Sequence, residues 1–175
     1  MNTLVFRCAL LLILVFPIAV GCSEQTLPGM PKLYKTQVTI TQDGQPLAGA
    51  NVIAINEDFA SSPWSSGGTT DSAGVVHLRT EGKFTGVPIG TYKIAVTKLE
   101  DQSGIVLPEK IATDAEIAEY ERLQRQAEAA TFQVIDDKFG NLETTPLRLE
   151  VKGVTSQTFD VSPKVKIKPK KVPAG

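Results

Sequence analysis

The sequence predicts a mainly β protein: a sandwich of about seven short strands with one helix inserted at its surface. Three observations lead to this fold class. Short β-prone segments, most of them alternating apolar and polar residues, recur along the chain, with turn signals between them. Glycine and proline are plentiful, at 14 and 11 residues, which suits strands joined by turns. A single long segment carries the signals of a capped helix.

The first predicted strand covers 36–41, where Val38 and Ile40 share one face. Asp43-Gly44 then predicts a hairpin turn, because glycine accepts a positive φ at little cost. A second strand is predicted at 51–56. Residues 57–69 are expected to form a polar loop.

The later strands follow the same pattern. A second turn at 70–74 precedes a strand at 75–80, and further strands are predicted at 91–97, 146–151 and 157–161. The side chains expected to face the core are those of Val76, Leu78, Tyr92, Ile94 and Val96, whereas His77 and Arg79 are expected to point outward.

One helix interrupts the strands, in an insertion over about 108–131. Thr113 and Glu116 have the spacing of a capping box, in which each side chain accepts a main-chain N–H of the other residue. The stretch 117–130 contains neither glycine nor proline. Its apolar stripe is narrow, so we expect the helix to lie at the surface.

The amino terminus has the pattern of an export signal. Arg7 precedes about a dozen apolar residues, which end in the small residues before Cys22. The run is shorter than the roughly 20 residues of a spanning helix. Residues 19–22 (Ala-Val-Gly-Cys) resemble the lipobox of bacterial lipoproteins, which implies a signal peptide at 1–21 and lipid on Cys22. The alternative is an ordinary secretory signal cut near Gly21.

These boundaries predict a linker at 22–33, a β-sandwich domain at 34–162 and a basic tail at 163–175. Residues 22–163 hold 12 Lys and Arg against 19 Asp and Glu, whereas the tail holds five lysines and no acid. An acidic body does not favour nucleic-acid binding. We expect the start of the tail to form a short edge strand; the alternative is a free segment that contacts anionic lipid or wall polymer.

Three segments together resemble the carboxypeptidase regulatory-like domain: 38–52, with its Asp-Gly turn, 70–75 (Thr-Asp-Ser-Ala-Gly-Val) and 89–96 (Ile-Gly-Thr-Tyr-Lys-Ile-Ala-Val). The closing segments 143–151 and 158–161 are similar to the end of small bacterial lipoproteins built on that domain. The resemblance implies a transthyretin-like, seven-stranded Greek-key sandwich. It also implies a role that is generally non-catalytic.

The residues themselves offer little for catalysis, and we expect no enzyme and no cofactor. With one histidine, His77, the chain gives no confident Ser/His/Asp triad and no His/Cys metal cluster. Asp43, Asp71 and the pair Asp136-Asp137 could supply calcium ligands, but such residues more often bond their own turns. No metal site is therefore predicted.

Trp64 is the candidate ligand contact, because an aromatic side chain on a polar loop could stack on sugar or peptide. The competing expectation, which we favour, is that Trp64 plugs one end of the sandwich. The sequence thus predicts a non-catalytic module in the bacterial cell envelope, anchored to a membrane by lipid on Cys22. Its partner would be an envelope protein or polysaccharide. The alternative is a carbohydrate- or peptide-binding lipoprotein that uses the Trp64 loop.

Overall fold

The computed structural model describes residues 27–60 and 62–169. Within them the chain is mainly β, with several antiparallel pairings and two helices. The strands are β1 Leu33–Tyr34, β2 Thr36–Gln42, β3 Gln45–Pro46, β4 Asn51–Asn56, β5 Ser66–Thr69, β6 Val75–His77, β7 Arg79–Thr80, β8 Phe84–Thr85, β9 Val87–Pro88, β10 Gly90–Thr97, β11 Leu99–Asp101, β12 Thr131–Gln133, β13 Arg148–Val151 and β14 Thr155–Asp160. The helices are α1 Asp114–Ala130 and α2 Asp137–Gly140.

Two larger sheets organise these strands. The first has the order β13-β10-β4-β5-β7-β8, and all of its pairs are antiparallel. In the second, β2 is flanked by β14 and β3, and β6 also pairs with β2. The β14–β2 pair is parallel. Two small ladders, β1–β9 and β11–β12, lie at the margins of these sheets.

One hydrophobic core joins the two larger sheets. The predicted inward residues of β2 and β10 are all fully buried: Val38, Ile40, Tyr92, Ile94 and Val96. They belong to the same cluster as Val52 and Ala54 of β4 and Leu149 of β13. The alternation in the sequence therefore predicted the core faces of β2 and β10 correctly.

The segment expected to form one strand at 75–80 forms two. β6 pairs with β2, whereas β7 pairs with β5 of the other sheet. Between them, the fully buried Leu78 donates its main-chain N–H to the carbonyl of Thr36, 3.0 Å away. The chain therefore passes from one sheet to the other at Leu78, while His77 and Arg79 stay exposed as predicted.

The expectation of a polar loop over 57–69 was wrong at its end, because Ser66–Thr69 forms β5. Gly67 and Gly68 suggested a loop, but here they let two strands approach closely. A Cβ on Gly67 would lie 2.6 Å from the carbonyl oxygen of Val52 on β4. Glycine is thus required in this strand by the contact with its neighbour.

Both predicted turns are present. Asp43 and Gly44 have φ values of 51° and 76°, as in a type I′ hairpin turn. The carboxylate of Asp71 accepts the main-chain N–H groups of Ala73 and Val75, each at 2.9 Å. These bonds close the second turn, whose Gly74 has a φ of 73°.

Helix α1 begins at the predicted capping box. The Thr113 hydroxyl accepts from the N–H of Glu116, and the Glu116 carboxylate accepts from the N–H of Thr113 at 2.8 Å. None of its side chains is buried, which confirms the surface position. The expectation of a single helix was wrong, since α2 forms between Asp136, its N-cap, and Asn141. Four residues are too few to give a helical periodicity in the sequence.

The strands give the body two ends, which we name the entry end and the arm end. At the entry end lie β1, the start of β10, the 57–65 loop and the 152–154 turn. The first paired residue is Leu33, opposite Pro88, at the last position of the linker predicted over 22–33. At the arm end, β10 finishes and the chain leaves the body for residues 102–130, which we call the arm. At about 3.4 Å per residue, β10 separates the two ends by roughly 24 Å.

Candidate functional site

The predicted lipidation residue, Cys22, lies outside the described residues. Leu27 forms a turn with Met30, whose N–H donates to the Leu27 carbonyl at 3.0 Å. This turn leads directly into β1 at the entry end. The described chain therefore joins the folded body at the entry end.

Trp64 lies at the entry end, in the loop between β4 and β5. The indole is half-buried and is not part of the hydrophobic core cluster. The plugging role expected for Trp64 therefore stays a prediction. The neighbouring Ser65 is fixed by Glu81, whose carboxylate accepts the Ser65 N–H at 2.9 Å and its hydroxyl at 3.0 Å.

A cleft of about 670 Å³ opens at the arm end. It lies between the ends of β10 and β12, helix α2, the loop after α2, and the start of the basic tail. Most of its lining side chains are polar, and two carry ammonium groups. The lining residues are Thr97, Leu99, Gln133, Asp137, Lys138, Gly140, Asn141, Thr144, Lys168 and Pro169.

The floor of this cleft is held by hydrogen bonds. The side-chain amide of Gln133 donates to the Asp137 carboxylate at 2.8 Å and to the main-chain carbonyl of Ile135 at 2.9 Å. Gly140 allows α2 to sit close to β10, since a Cβ there would lie 3.2 Å from a methyl group of Thr97. Amide, hydroxyl and ammonium groups are suited to hydrogen bonding with a polar or anionic ligand.

The basic tail is bound to this end of the body. Ile167 and Gln133 exchange two main-chain hydrogen bonds, at 2.8 and 3.0 Å, and Val165 donates to the carbonyl of Val134. The pairing agrees with the expected edge strand as far as Ile167, although it consists of one bridge. Residues 170–175 lie outside the described chain. The tail start is therefore a part of the arm end.

Side chains strengthen this attachment. The ammonium groups of Lys166 and Lys168 lie 4.1 and 3.9 Å from the centre of the Phe132 ring, as in cation–π contacts. Lys168 also donates to the main-chain carbonyl of Ala129, near the end of α1. Phe132 was not among the predicted site residues, because it is far from Lys166 and Lys168 in the sequence and contacts them only in the folded chain.

Glu100 joins the tail to β11. Its carboxylate pairs with Lys164 and with Lys98, each at 2.9 Å. These hydrogen bonds, with Lys164 contributing most, hold the pKa of Glu100 below its usual value. The carboxylate thus stays ionised to lower pH than a free glutamate would.

The acidic residues considered as calcium ligands have structural partners. Asp43 accepts the N–H of Lys164 at 3.1 Å, Asp71 closes its turn, and Asp136 caps α2 by accepting from Lys138 at 2.9 Å. In the described part of the chain, no group of three or more His, Cys, Asp or Glu residues is placed to hold a metal ion.

Within residues 27–60 and 62–169, no helix is long and apolar enough to cross a membrane.

Comparison with protein-family profiles, with curated proteins and with solved structures finds no match to this chain.

Proposed function

We propose that this protein is a non-catalytic lipoprotein of the bacterial cell envelope that acts as an interaction module. Lipid on Cys22 holds it to a membrane. The folded body presents its arm end to a partner in the envelope, either a protein or a polysaccharide. The observation that carries this proposal is the apolar run that ends at Cys22, eleven residues before the first strand begins at Leu33.

The body has the features of a rigid support. Its buried threonine hydroxyls donate to main-chain carbonyls: Thr70 to Leu47 at 2.6 Å, Thr80 to Gly86 at 2.7 Å and Thr145 to Ile94 at 2.6 Å. Such bonds satisfy polar groups inside the core and fix neighbouring loops. In the proposed role these groups maintain the shape of the module.

For the finer fold we propose the seven-stranded Greek-key sandwich of the carboxypeptidase regulatory-like domain. Two observations support it: two larger sheets share one core, and the Asp-Gly segment and the Thr-Asp-Ser-Ala-Gly segment both form turns. The arm and the bound tail would be additions to that core. They form the end on which we place partner binding.

The anchor is tested by fractionating cells that express the wild-type chain, Cys22→Ala or Cys8→Ala. We expect the wild type and Cys8→Ala in the membrane fraction, because Cys8 leaves with the signal peptide. Cys22→Ala should move to the soluble fraction or accumulate uncleaved, and it should carry no lipid. Wild-type protein that is soluble and free of lipid contradicts the proposal.

A second candidate function is binding of a carbohydrate or peptide through Trp64. The observation that favours it is the half-buried indole outside the core cluster. Stacking on a ligand would protect the indole further and shift its emission to the blue. Calorimetric titration of the wild type and Trp64→Ala with envelope glycans and peptides tests this candidate; equal affinity of the two proteins excludes it.

A further inference from the structure

Exposed apolar side chains gather at the entry end from four separate segments. They are Leu27 on the first turn, Phe59 in the 57–65 loop, Ile89 between β9 and β10, and Val154 in the turn before β14; their exposures are 44%, 50%, 56% and 81%. We call these four residues the apolar rim. Exposed apolar groups are common as single residues on a protein surface, but several that lie together at one end mark a contact surface.

The backbone brings these segments to one end. The N–H of Glu57 donates to the carbonyl of Thr91 at 2.9 Å, which fixes the loop of Phe59 beside the strand that follows Ile89. Val151 pairs with Gly90, and Thr155 with Thr36, so the turn that holds Val154 lies between them at the same end. The register of the strands therefore places the residues of the apolar rim at the same end of the body.

The chain that leaves this end specifies what can cover the rim. From Cys22 to Leu27 there are five residues, which span at most about 18 Å when fully extended. A lipid on Cys22 places that residue at the membrane surface. The entry end must then stay within a short distance of the same bilayer, whereas the arm end lies farther away by the length of β10.

The charges around the rim suit an interface with lipid headgroups. Lys32 and Lys35 are exposed on either side of β1, and long cationic side chains can reach headgroups while their stems stay apolar. Three acids at this end have partners: Glu57 pairs with Arg148 at 2.6 Å, Glu150 pairs with Lys152 at 2.8 Å, and Glu81 accepts from Ser65. Asp58, next to Phe59, is exposed and would remain on the aqueous side of the rim.

We propose that the apolar rim rests on the bilayer that holds the lipid of Cys22, so that the arm and the cleft project away from the membrane. The inference rests on the proposed anchor. It assigns a partner, a phospholipid surface, to the entry end and gives the module a fixed orientation. Shallow insertion of apolar side chains adds to the hold of an acyl anchor.

Two valines provide a matched test. Val154 belongs to the rim, Val106 belongs to the arm, and their exposures are 81% and 88%. After cleavage, Cys22 is the one cysteine of the mature chain and its sulfur carries lipid. Val154→Cys and Val106→Cys therefore each offer a single thiol for an environment-sensitive fluorophore in the lipidated protein.

The labelled proteins are placed in phosphatidylcholine and phosphatidylglycerol vesicles with and without lipids that carry a quencher near the headgroup. We expect a blue shift and at least a twofold loss of intensity for the probe at 154, and less than a 10% change at 106. Addition of Phe59→Glu and Ile89→Glu to Val154→Cys should remove most of the quenching while the circular dichroism spectrum is retained.

Co-sedimentation in the same samples separates the two proposals. Protein that sediments with vesicles but shows no quenching at 154, or equal quenching at both positions, overturns the orientation and leaves the anchor intact. Quenching at 154 that persists after both glutamate substitutions also overturns the role of the rim. Wild-type protein that does not sediment overturns the anchor and the orientation together.

Discussion

Gln42 donates its side-chain amide to the main-chain carbonyl of Val134, 2.8 Å away, and both residues are buried. The two residues are 92 positions apart in the chain. Gln42 ends β2 of the smaller sheet, whereas Val134 follows β12, where the arm returns to the body. A single polar side chain thus ties the base of the arm to the core.

Gln42→Ala should lower the free energy of unfolding by about 1–2 kcal/mol, because it truncates a buried side chain and removes one of the two hydrogen bonds to the Val134 carbonyl, which keeps the bond from the Val165 N–H. Urea unfolding measures the loss. Gln45→Ala provides the control, since Gln45 is exposed in β3 and should change stability by less than about 0.5 kcal/mol. Equal effects of the two substitutions contradict this role of Gln42.

Removal of the arm should leave the body folded. Gln102 donates its N–H to the carbonyl of Ala130 at 3.1 Å, so an Asn-Gly turn in place of residues 103–129 would join β11 and β12 as a hairpin. No side chain of α1 is buried. We expect cooperative thermal unfolding with a Tm within a few degrees of the wild type.

A longer deletion serves as the control for the removal of the arm. Replacement of residues 103–133 also removes Phe132 and Gln133, which bind the tail. That variant should be clearly less stable than the shorter one. Broad, non-cooperative unfolding of the shorter variant would show that α1 covers the core after all.

Gly67→Ala should destabilise the domain by about 1–3 kcal/mol. The added methyl group would lie 2.6 Å from the Val52 carbonyl oxygen, and the two main chains would have to separate. Gly153→Ala is the control, because no atom lies within 4 Å of its Cβ position. Chemical unfolding of both variants measures the difference, and a neutral Gly67→Ala contradicts the strand assignment of β5.

Tyr92 should make stability depend on pH in the alkaline range. Burial raises the pKa of Tyr92 above its ordinary value, while a hydrogen bond with Asn56 opposes the shift. The pKa of Tyr92 is higher in the folded state than in the unfolded state. The neutral hydroxyl therefore gives its full stabilisation of the fold below about pH 10, and this stabilisation is lost as the pH rises through the folded pKa. Acidification to pH 7 restores it.

The Tyr92 hydroxyl donates to the carbonyl of Pro88 at 2.9 Å. Tyr92→Phe should therefore cost about 1–3 kcal/mol at pH 7. The difference between wild type and variant should shrink as the pH rises above 10. Guanidinium unfolding across this range measures it, with the half-buried Tyr120→Phe as the control. A difference that stays constant with pH contradicts this account of Tyr92.

The sequence predicted those parts of the fold that local pattern determines. Alternation identified Val38, Ile40 and Ile94 as core residues, and Thr113 with Glu116 marked the start of α1. The local pattern failed to predict the structure where a contact with a residue far away in the chain determines it. Gly67 and Gly68 form a strand because β4 lies against them, a fact that no window around these residues contains.

For the candidate site, too, the sequence displays single residues that stand out locally but not the contacts that form only in the fold. Trp64 stood out as an aromatic residue on a polar loop, but its half-buried position depends on loop packing that the sequence does not display. The cleft was missed altogether, because Thr97, Gln133 and Lys168 come together only when the arm returns and the tail binds to it. Cys22 needs no fold to be recognised, since its signal is the apolar run before it.

The most direct test of the account is the mass of the mature amino-terminal peptide. Wild-type protein purified from membranes in detergent should yield a peptide that begins at Cys22, with the mass of lipid on its sulfur. Cleavage at another residue, or a Cys22 thiol that remains free and reacts with a maleimide, would contradict the central claim that this module is held at the membrane by Cys22.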